Sequence, residues 1–146
     1  MTNHRLQALL KPSSIAILGA SQKSGSVGNE VIKNLLRGGF EGEIFAVNPG
    51  YDEVEGILCY PSLAQLPKSP QHVIFAINDH RIEAALDEVV SLGIPACTIF
   101  SALIISDDST PNLKQRIAKK TQDAGLLVAG ANGMGFYNVR DRVLAG

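Results

Sequence analysis

Short apolar runs and longer stretches of helical periodicity alternate along the 146 residues of this chain. The apolar runs predict five β-strands, at positions 14–19, 43–48, 72–77, 96–100 and 126–129. The first run is apolar on both faces, which is typical of a central strand in a parallel sheet. We therefore expect a sheet whose inner strands are covered by helices on both sides.

Three periodic stretches predict helices at positions 27–37, 80–92 and 111–124. The apolar stripe of the first helix is Val31, Ile32, Leu35 and Leu36. That of the second is Ile82, Ala85, Leu86, Val89 and Val90. Pro111 is expected at the first position of the third helix, where a missing N–H is tolerated. A short helix is expected before Pro12, a loop at 51–61 and a single helical turn at 62–66.

Strands that alternate with helices indicate an α/β protein with a doubly wound parallel sheet and three αβα layers, a Rossmann-like fold. In such folds, ligands bind at the carboxyl ends of the strands. Small and polar residues follow all five predicted strands, at Gly19–Ser21, Asn48–Tyr51, Ile77–Asn78, Phe100–Ser101 and Gly130–Asn132. These ends together predict a ligand-binding cleft.

The turn after the first strand is rich in glycine and serine and leads into a helix. Because a helix N-terminus offers free N–H groups and a partial positive charge, such a turn favours phosphate binding. Many strand-to-helix turns of this composition bind nothing, so this alternative stays open. The candidate phosphate-binding residues are Gly19, Ala20, Ser21, Ser24, Gly25, Ser26 and Val27.

The second predicted strand argues against a nicotinamide or flavin dinucleotide. Such folds usually end this strand with an acidic residue that holds the ribose hydroxyls. Here the strand ends in Asn48-Pro49-Gly50-Tyr51, with neither a carboxylate nor an arginine for a 2′-phosphate. An NAD(H)-binding domain therefore remains only as an alternative.

Composition excludes several classes of function. Hydrophobic residues make up 45% of the chain and the net charge is −1, so a core is expected and a nucleic-acid partner is not. No apolar run approaches the length of a membrane span, so no membrane partner is expected. The two cysteines lie far apart without metal-ligand spacing, which favours a reduced, cytoplasmic setting and no metal site.

Four motifs in sequence order resemble the CoA-binding domain of the NDP-forming acyl-CoA synthetases, the relatives of acetate–CoA ligase and of the succinyl-CoA synthetase α subunit. They are Leu18-Gly19-Ala20-Ser21 with Gly25-Ser26-Val27-Gly28, Val47-Asn48-Pro49, Cys59-Tyr60-Pro61-Ser62-Leu63, and the segment 130–138. The resemblance covers essentially the whole chain, so we expect 1–146 to form a single CoA-binding domain.

The resemblance implies the roles of individual residues. Positions 24–27 match the segment that holds the CoA phosphates, and positions 48–51 match the turn at the adenosine end. The strand-end residues expected along CoA or acyl-CoA are Asn48, Pro49, Tyr51, Ile77, Asn78, Phe100, Ser101 and Asn132. The chain departs from the family at Ala102-Leu103, where a glutamate is frequent, and at Ala131 and Gly133, which replace a proline and a cysteine.

The resemblance also implies what other domains supply. In the family, a phosphohistidine on a following domain and an ATP-grasp domain carry the ligase chemistry. We therefore expect no catalytic residue in this chain, and ATP, ADP and Mg²⁺ only on downstream synthetase domains. The chain is expected to be the N-terminal part of a longer acid–thiol ligase or a stand-alone homologue. A ligand-sensing module of a protein acyltransferase is the alternative, and a homo-oligomer is left open.

Overall fold

Seven strands form one sheet through the centre of the molecule. The computed structural model describes residues 6–130, 136–138, 140 and 142–145. The strands are β1 Ser14–Leu18, β2 Glu43–Val47, β3 Glu53–Val54, β4 Ile57–Tyr60, β5 His72–Phe75, β6 Ala96–Ile99 and β7 Leu127–Ala129. They lie in the order β3-β4-β2-β1-β5-β6-β7, and all neighbours are parallel except β3 and β4. The predicted doubly wound sheet is confirmed.

Helices cover both faces of this sheet. They are α1 Gln7–Leu10, α2 Val27–Arg37, α3 Asp79–Ser91 and α4 Leu113–Ala124. On one face α2 packs Val31, Ile32 and Leu35 against the sheet. On the other face, α3 and α4 bury Ile82, Leu86, Val89, Leu113 and Ile117. The molecule therefore has the predicted three αβα layers.

The apolar stripes of α2 and α3 are narrower than the sequence predicts. Leu36 is 46% exposed and Val90 is 39% exposed. Each lies at the edge of its stripe, beyond the reach of the sheet. The residues that face the sheet directly are buried as expected.

The predicted loop at 51–61 is wrong, because it contains the hairpin formed by β3 and β4. Val54 pairs with Ile57 across a two-residue turn in which Glu55 and Gly56 both have positive φ, +52° and +79°. This is the backbone of a type I′ turn, whose twist suits antiparallel strands. Strand β4 then pairs with β2 in parallel, which extends the sheet beyond β2.

The predicted start of the third helix at Pro111 is also wrong, since α4 begins at Leu113 with Asn112 as its N-cap. The Asn112 side chain accepts a hydrogen bond from the Gln115 N–H, and the Gln115 side chain accepts one from the Asn112 N–H, both at 2.9 Å. This capping box satisfies two amides that would otherwise be orphaned. The predicted helical turn at 62–66 is a short 3-10 turn, Leu63–Gln65.

A second, small antiparallel sheet lies beside α2. It consists of β8 Phe136–Asn138 and β9 Val143–Ala145. Val143 and Ala145 are buried in the core on the α2 face of the large sheet. This hairpin completes the covering layer on that face.

His72 ties α1 to the amino edge of the sheet. Its Nδ1 lies 3.0 Å from the carbonyl oxygen of Ala8, and its Nε2 lies 2.6 Å from Oγ1 of Thr98 on β6. Burial in this position lowers the pKa of His72 to about 4, although the Ala8 contact opposes the shift. The ring is therefore neutral at pH 7.

Within the described residues, no helix is long and apolar enough to cross a membrane.

Candidate functional site

The first half of the β1–α2 loop packs against the end of β5. Gly19 has a φ of +96°, and a Cβ there would lie 2.8 Å from the carbonyl carbon of Ala76 and nearer still to its oxygen. A Cβ at Gly28, in the first turn of α2, would lie 2.9 Å from the carbonyl carbon of Gly19. Close packing of β1, β5 and α2 at this point therefore requires glycine at both positions.

The second half of the loop faces solvent. Ser24 and Gly25 are exposed, and a Cβ at Gly25 would meet no atom within 4 Å. Ser26 caps α2, because its Oγ accepts from the Asn29 N–H at 3.3 Å and donates to the Lys23 carbonyl at 2.7 Å. The N–H groups of Val27 and Gly28 have no intrahelical acceptor at these positions of a helix, so they carry its partial positive charge.

Four side-chain hydrogen bonds of Ser21, Gln22 and Asn29 form what we call the loop clamp: three reach the segment 51–55, and the fourth joins Asn29 to the loop itself. Oγ of Ser21 lies 3.3 Å from Oη of Tyr51, and Oε1 of Gln22 accepts from the Glu55 N–H at 3.1 Å. Nδ2 of Asn29 donates to the Ser21 carbonyl and to Oε1 of Glu55, both at 2.8 Å. Asn29 is fully buried, and within the described residues its Oδ1 has no partner. The clamp therefore joins the loop, α2 and the β3–β4 turn.

A cavity of about 380 Å³ opens between the end of β2 and the first turns of α3, and we call it the α3 cavity. Four predicted residues line it: Gly19, Asn48, Pro49 and Ile77. Asn48 shapes its floor, since its Nδ2 donates to the Ala20 carbonyl at 2.9 Å and its Oδ1 accepts from the Gly50 N–H at 2.8 Å. His80 and Arg81 of α3 also line the cavity.

A second cavity, of about 430 Å³, lies on the other side of Ile77, and we call it the α2 cavity. Its predicted lining residues are Ser26, Val27, Ile77, Phe100 and Ser101. Phe75 and Ala76 from the end of β5 complete a largely apolar wall. The two cavities meet at Ile77, where the strand order reverses between β1 and β5, the usual ligand position in this fold.

The remaining predicted residues take different positions. Ala20 is fully buried, so a ligand could reach only its backbone. Tyr51 belongs to the loop clamp, and the exposed Asn78 is the N-cap of α3 and lines neither cavity. Asn132 lies outside the described residues.

Sequence reasoning missed a hydrogen-bond network at the mouth of the α2 cavity. The Ser101 hydroxyl donates to Oδ1 of Asp79, and the other carboxylate oxygen accepts from the Ile104 N–H at 3.1 Å. Oγ of Ser101 also accepts from the Leu103 N–H at 2.8 Å. Asp79 therefore fixes the turn after β6 from the start of α3, a link between positions 22 residues apart that no local pattern reports.

Neither cysteine has the character of a nucleophile. Burial raises the pKa of the Cys59 thiol, whose Sγ lies 3.5 Å from the Asn48 carbonyl, and the nearby charge of Asp52 raises it further. Burial raises the pKa of Cys97 to about 12. Both thiols are therefore protonated at pH 7. Among the residues that the structure describes, no cluster of His, Cys, Asp and Glu could hold a metal ion.

This arrangement fits a long ligand with an anionic middle. The free amides of α2 lie beside the largely apolar α2 cavity, and the α3 cavity, with Asn48 and two basic residues in its lining, opens on the other side of Ile77. Coenzyme A has this construction: a phosphorylated adenosine, a pyrophosphate and a flexible pantetheine arm. The residues present therefore fit coenzyme A.

Comparisons with known proteins agree with this fit. The family model described as CoA binding domain matches residues 13–138. The chain is 30% identical over 144 residues to a trans-feruloyl-CoA synthase of an unknown prokaryotic organism, which covers 97% of this chain and 20% of that protein. It is 28% identical over 134 residues to the ADP-forming acetate–CoA ligase I of Archaeoglobus fulgidus, covering 91% of this chain and 19% of that protein.

A solved structure of an acetyl-coenzyme A synthetase is also similar to this chain. It is the dinucleotide forming acetyl-coenzyme A synthetase 1 of Ca. Korarchaeum cryptofilum in complex with phosphate and ADP. The TM-score is 0.87 at 25% identity, covering 96% of this chain and 30% of that one. The chain spans about a fifth of the length of the curated relatives described above. It belongs to the CoA binding domain family, is similar to the CoA-binding domains of NDP-forming acyl-CoA synthetases, and has coenzyme A as its cofactor.

Proposed function

We propose that this chain holds coenzyme A across the two cavities, with the pyrophosphate on the exposed half of the β1–α2 loop. The observation that supports this placement most is the meeting of both cavities at Ile77, beside the N-terminus of α2. The adenosine end then occupies the α3 cavity near Asn48 and Pro49. The pantetheine arm occupies the α2 cavity between Val27 and Phe100.

Each part of the site has a separate task in this proposal. The N–H groups of Val27 and Gly28 and the hydroxyls of Ser24 and Ser26 bind phosphate oxygens. Apolar side chains of the α2 cavity exclude water from the pantetheine arm and direct it away from the sheet. Coenzyme A supplies the thiol that accepts an acyl group, and this chain positions that thiol without a catalytic residue of its own.

We further propose that the chain works as a single CoA-binding domain, the N-terminal part of a longer acid–thiol ligase in the cytoplasm. The named relatives are CoA ligases and synthases several times its length. In that arrangement, ATP, ADP and Mg²⁺ bind on downstream domains, and the acyl group is transferred there. Self-association of the domain would be compatible with this arrangement and with a stand-alone homologue.

Calorimetric titration with CoA, NADH and ATP tests the placement. We expect CoA to bind and the other two to bind far more weakly. Gly25→Val should reduce CoA affinity at least about tenfold, because a side chain at the loop surface meets the phosphates and the positive φ is strained. Thermal unfolding should remain cooperative, since the space around Gly25 is open.

Gly93→Val is the matched control. Gly93 follows α3 at the opposite edge of the sheet, has a φ of +70°, and would also give its Cβ no contact within 4 Å. It carries the same backbone strain without the ligand, so its CoA affinity should match that of the wild type. Binding of NADH but not of CoA, or equal CoA affinity in the wild type and in Gly25→Val, would contradict the proposal.

A further inference from the structure

The α3 cavity contains positive charge that comes from an unexpected element. No basic residue occurs in the turn Asn48–Tyr51 at the end of β2. The basic residues lining this cavity are instead His80 and Arg81, both in the first turn of α3. The end of the cavity nearest the strand ends is therefore its cationic end.

The guanidinium of Arg81 is available to a ligand. Arg81 is exposed, and within the described part of the chain no carboxylate lies at ion-pair distance from it. Arg116 on α4 provides the contrast, since its guanidinium group bonds Glu83 and Asp108 at 3.1 and 3.0 Å. Arg81 thus combines a cavity position with an unused positive charge.

The acidic group of this cavity lies at its other end. Glu88 follows Arg81 by seven positions on α3, which corresponds to about 10 Å along the helix. An anionic ligand group is therefore attracted to the end that holds Arg81, Asn48 and Pro49, and repelled from the end that holds Glu88. Guanidinium binds phosphate with two parallel hydrogen bonds, so a phosphate monoester suits this position best.

We propose that Arg81, with His80 beside it, binds the 3′-phosphate on the ribose of coenzyme A and makes the domain prefer CoA to dephospho-CoA. This inference rests on the proposed function, because it needs the adenosine end of CoA in the α3 cavity. Recognition of the adenosine ribose then comes from the helix after β5 rather than from the end of β2. Arg81 is a specificity-determining residue and takes no part in acyl transfer.

A binding cycle with two ligands and two proteins tests the assignment. The wild type should bind CoA about tenfold more tightly than dephospho-CoA at low ionic strength, as one charge-assisted contact predicts. Arg81→Gln should lose about tenfold in CoA affinity and leave the affinity for dephospho-CoA unchanged. Arg37→Gln, which removes the same charge from the far end of α2, should behave as the wild type does.

Further arms separate the competing outcomes. Equal affinities of the wild type for both ligands would overturn the inference. The inference would also be overturned if Lys23→Gln lost the preference for CoA over dephospho-CoA while Arg81→Gln retained it. A preference for NADPH over NADH without CoA binding would assign the cavity to a 2′-phosphate and overturn it as well. Failure of both CoA ligands to bind the wild type would overturn the proposed function itself, whereas strong binding without discrimination would overturn only the role of Arg81.

Discussion

Gly19 and Gly25 lie in the same loop and have similar backbone conformations, with φ of +96° and +86°. Their surroundings differ completely, because a Cβ at Gly19 would overlap the Ala76 carbonyl whereas one at Gly25 would meet nothing within 4 Å. The first half of the loop is therefore determined by packing between β1, β5 and α2. The second half is left open to a ligand. Packing therefore explains the glycine at position 19, whereas access for a ligand explains the glycine at position 25.

The largest effect on stability should come from the first of two variants, each of which adds one methyl group to one half of the loop. Gly19→Ala should lower the free energy of unfolding by at least about 3 kcal/mol, because the neighbouring atoms are backbone and cannot move aside. Gly25→Ala should lower it by about 1 kcal/mol, the strain of a positive φ alone. Urea unfolding of both variants measures the difference, and equal losses would refute the division of the loop.

Acid provides a second test, from the edge of the sheet opposite the loop. Burial lowers the pKa of His72 from 6.5 to about 4, so between these values the unfolded chain binds a proton that the folded chain does not. The folded state therefore has its full stability with respect to His72 above pH 6.5. Its free energy of unfolding falls by about 3 kcal/mol as the pH is lowered to 4. Urea unfolding from pH 7 to 4 should show this loss.

The two edges should behave independently in that experiment. Gly25→Ala should lose the same free energy between pH 7 and 4 as the wild type, because distant sites are additive. His72→Gln should lose less over this range, because the group that takes up the proton is absent. A steeper pH dependence in Gly25→Ala would mean that the loop and the amino edge are coupled.

A smaller effect should come from the loop clamp, which supports the first half of the loop. Asn29→Ala should lower the free energy of unfolding by about 2 kcal/mol, because the Ser21 carbonyl and the Glu55 carboxylate lose their buried donor. Its CoA affinity should also fall. Gln22→Ala removes one exposed bond of the same clamp and should cost less than about 1 kcal/mol. Equal losses in the two variants would place the clamp's contribution outside Asn29.

The parts of the fold that local patterns determine were predicted from the sequence. Apolar runs and glycine-capped helices marked five of the parallel strands and α2 and α3 within a residue or two, since each pattern is complete within one element. The hairpin of β3 and β4 was missed because Glu55-Gly56 is not one of the residue pairs, such as Asn-Gly or Asp-Gly, that mark a two-residue hairpin turn. Its first strand has only two residues, too few for an alternating pattern to stand out.

The residues of the candidate site also divide into those that the sequence predicts and those that it does not. Strand-end positions such as Asn48, Ile77 and Phe100 line the two cavities, because a parallel sheet brings all its carboxyl ends to one edge. Arg81 and Asn29 could not be assigned from the sequence. Their positions depend on how a helix is rotated against the sheet and on which turn of another segment it meets, and neither is encoded in adjacent residues.

The loop clamp also has a consequence for the thermodynamics of binding. A flexible phosphate loop would lose conformational entropy when a ligand orders it, and that loss would weaken affinity. Here Ser21, Gln22 and Asn29 already hold the first half of the loop to the segment 51–55. Association then needs no ordering of this half, so the conformational entropy that coenzyme A removes on binding comes from the exposed stretch around Ser24 and Gly25.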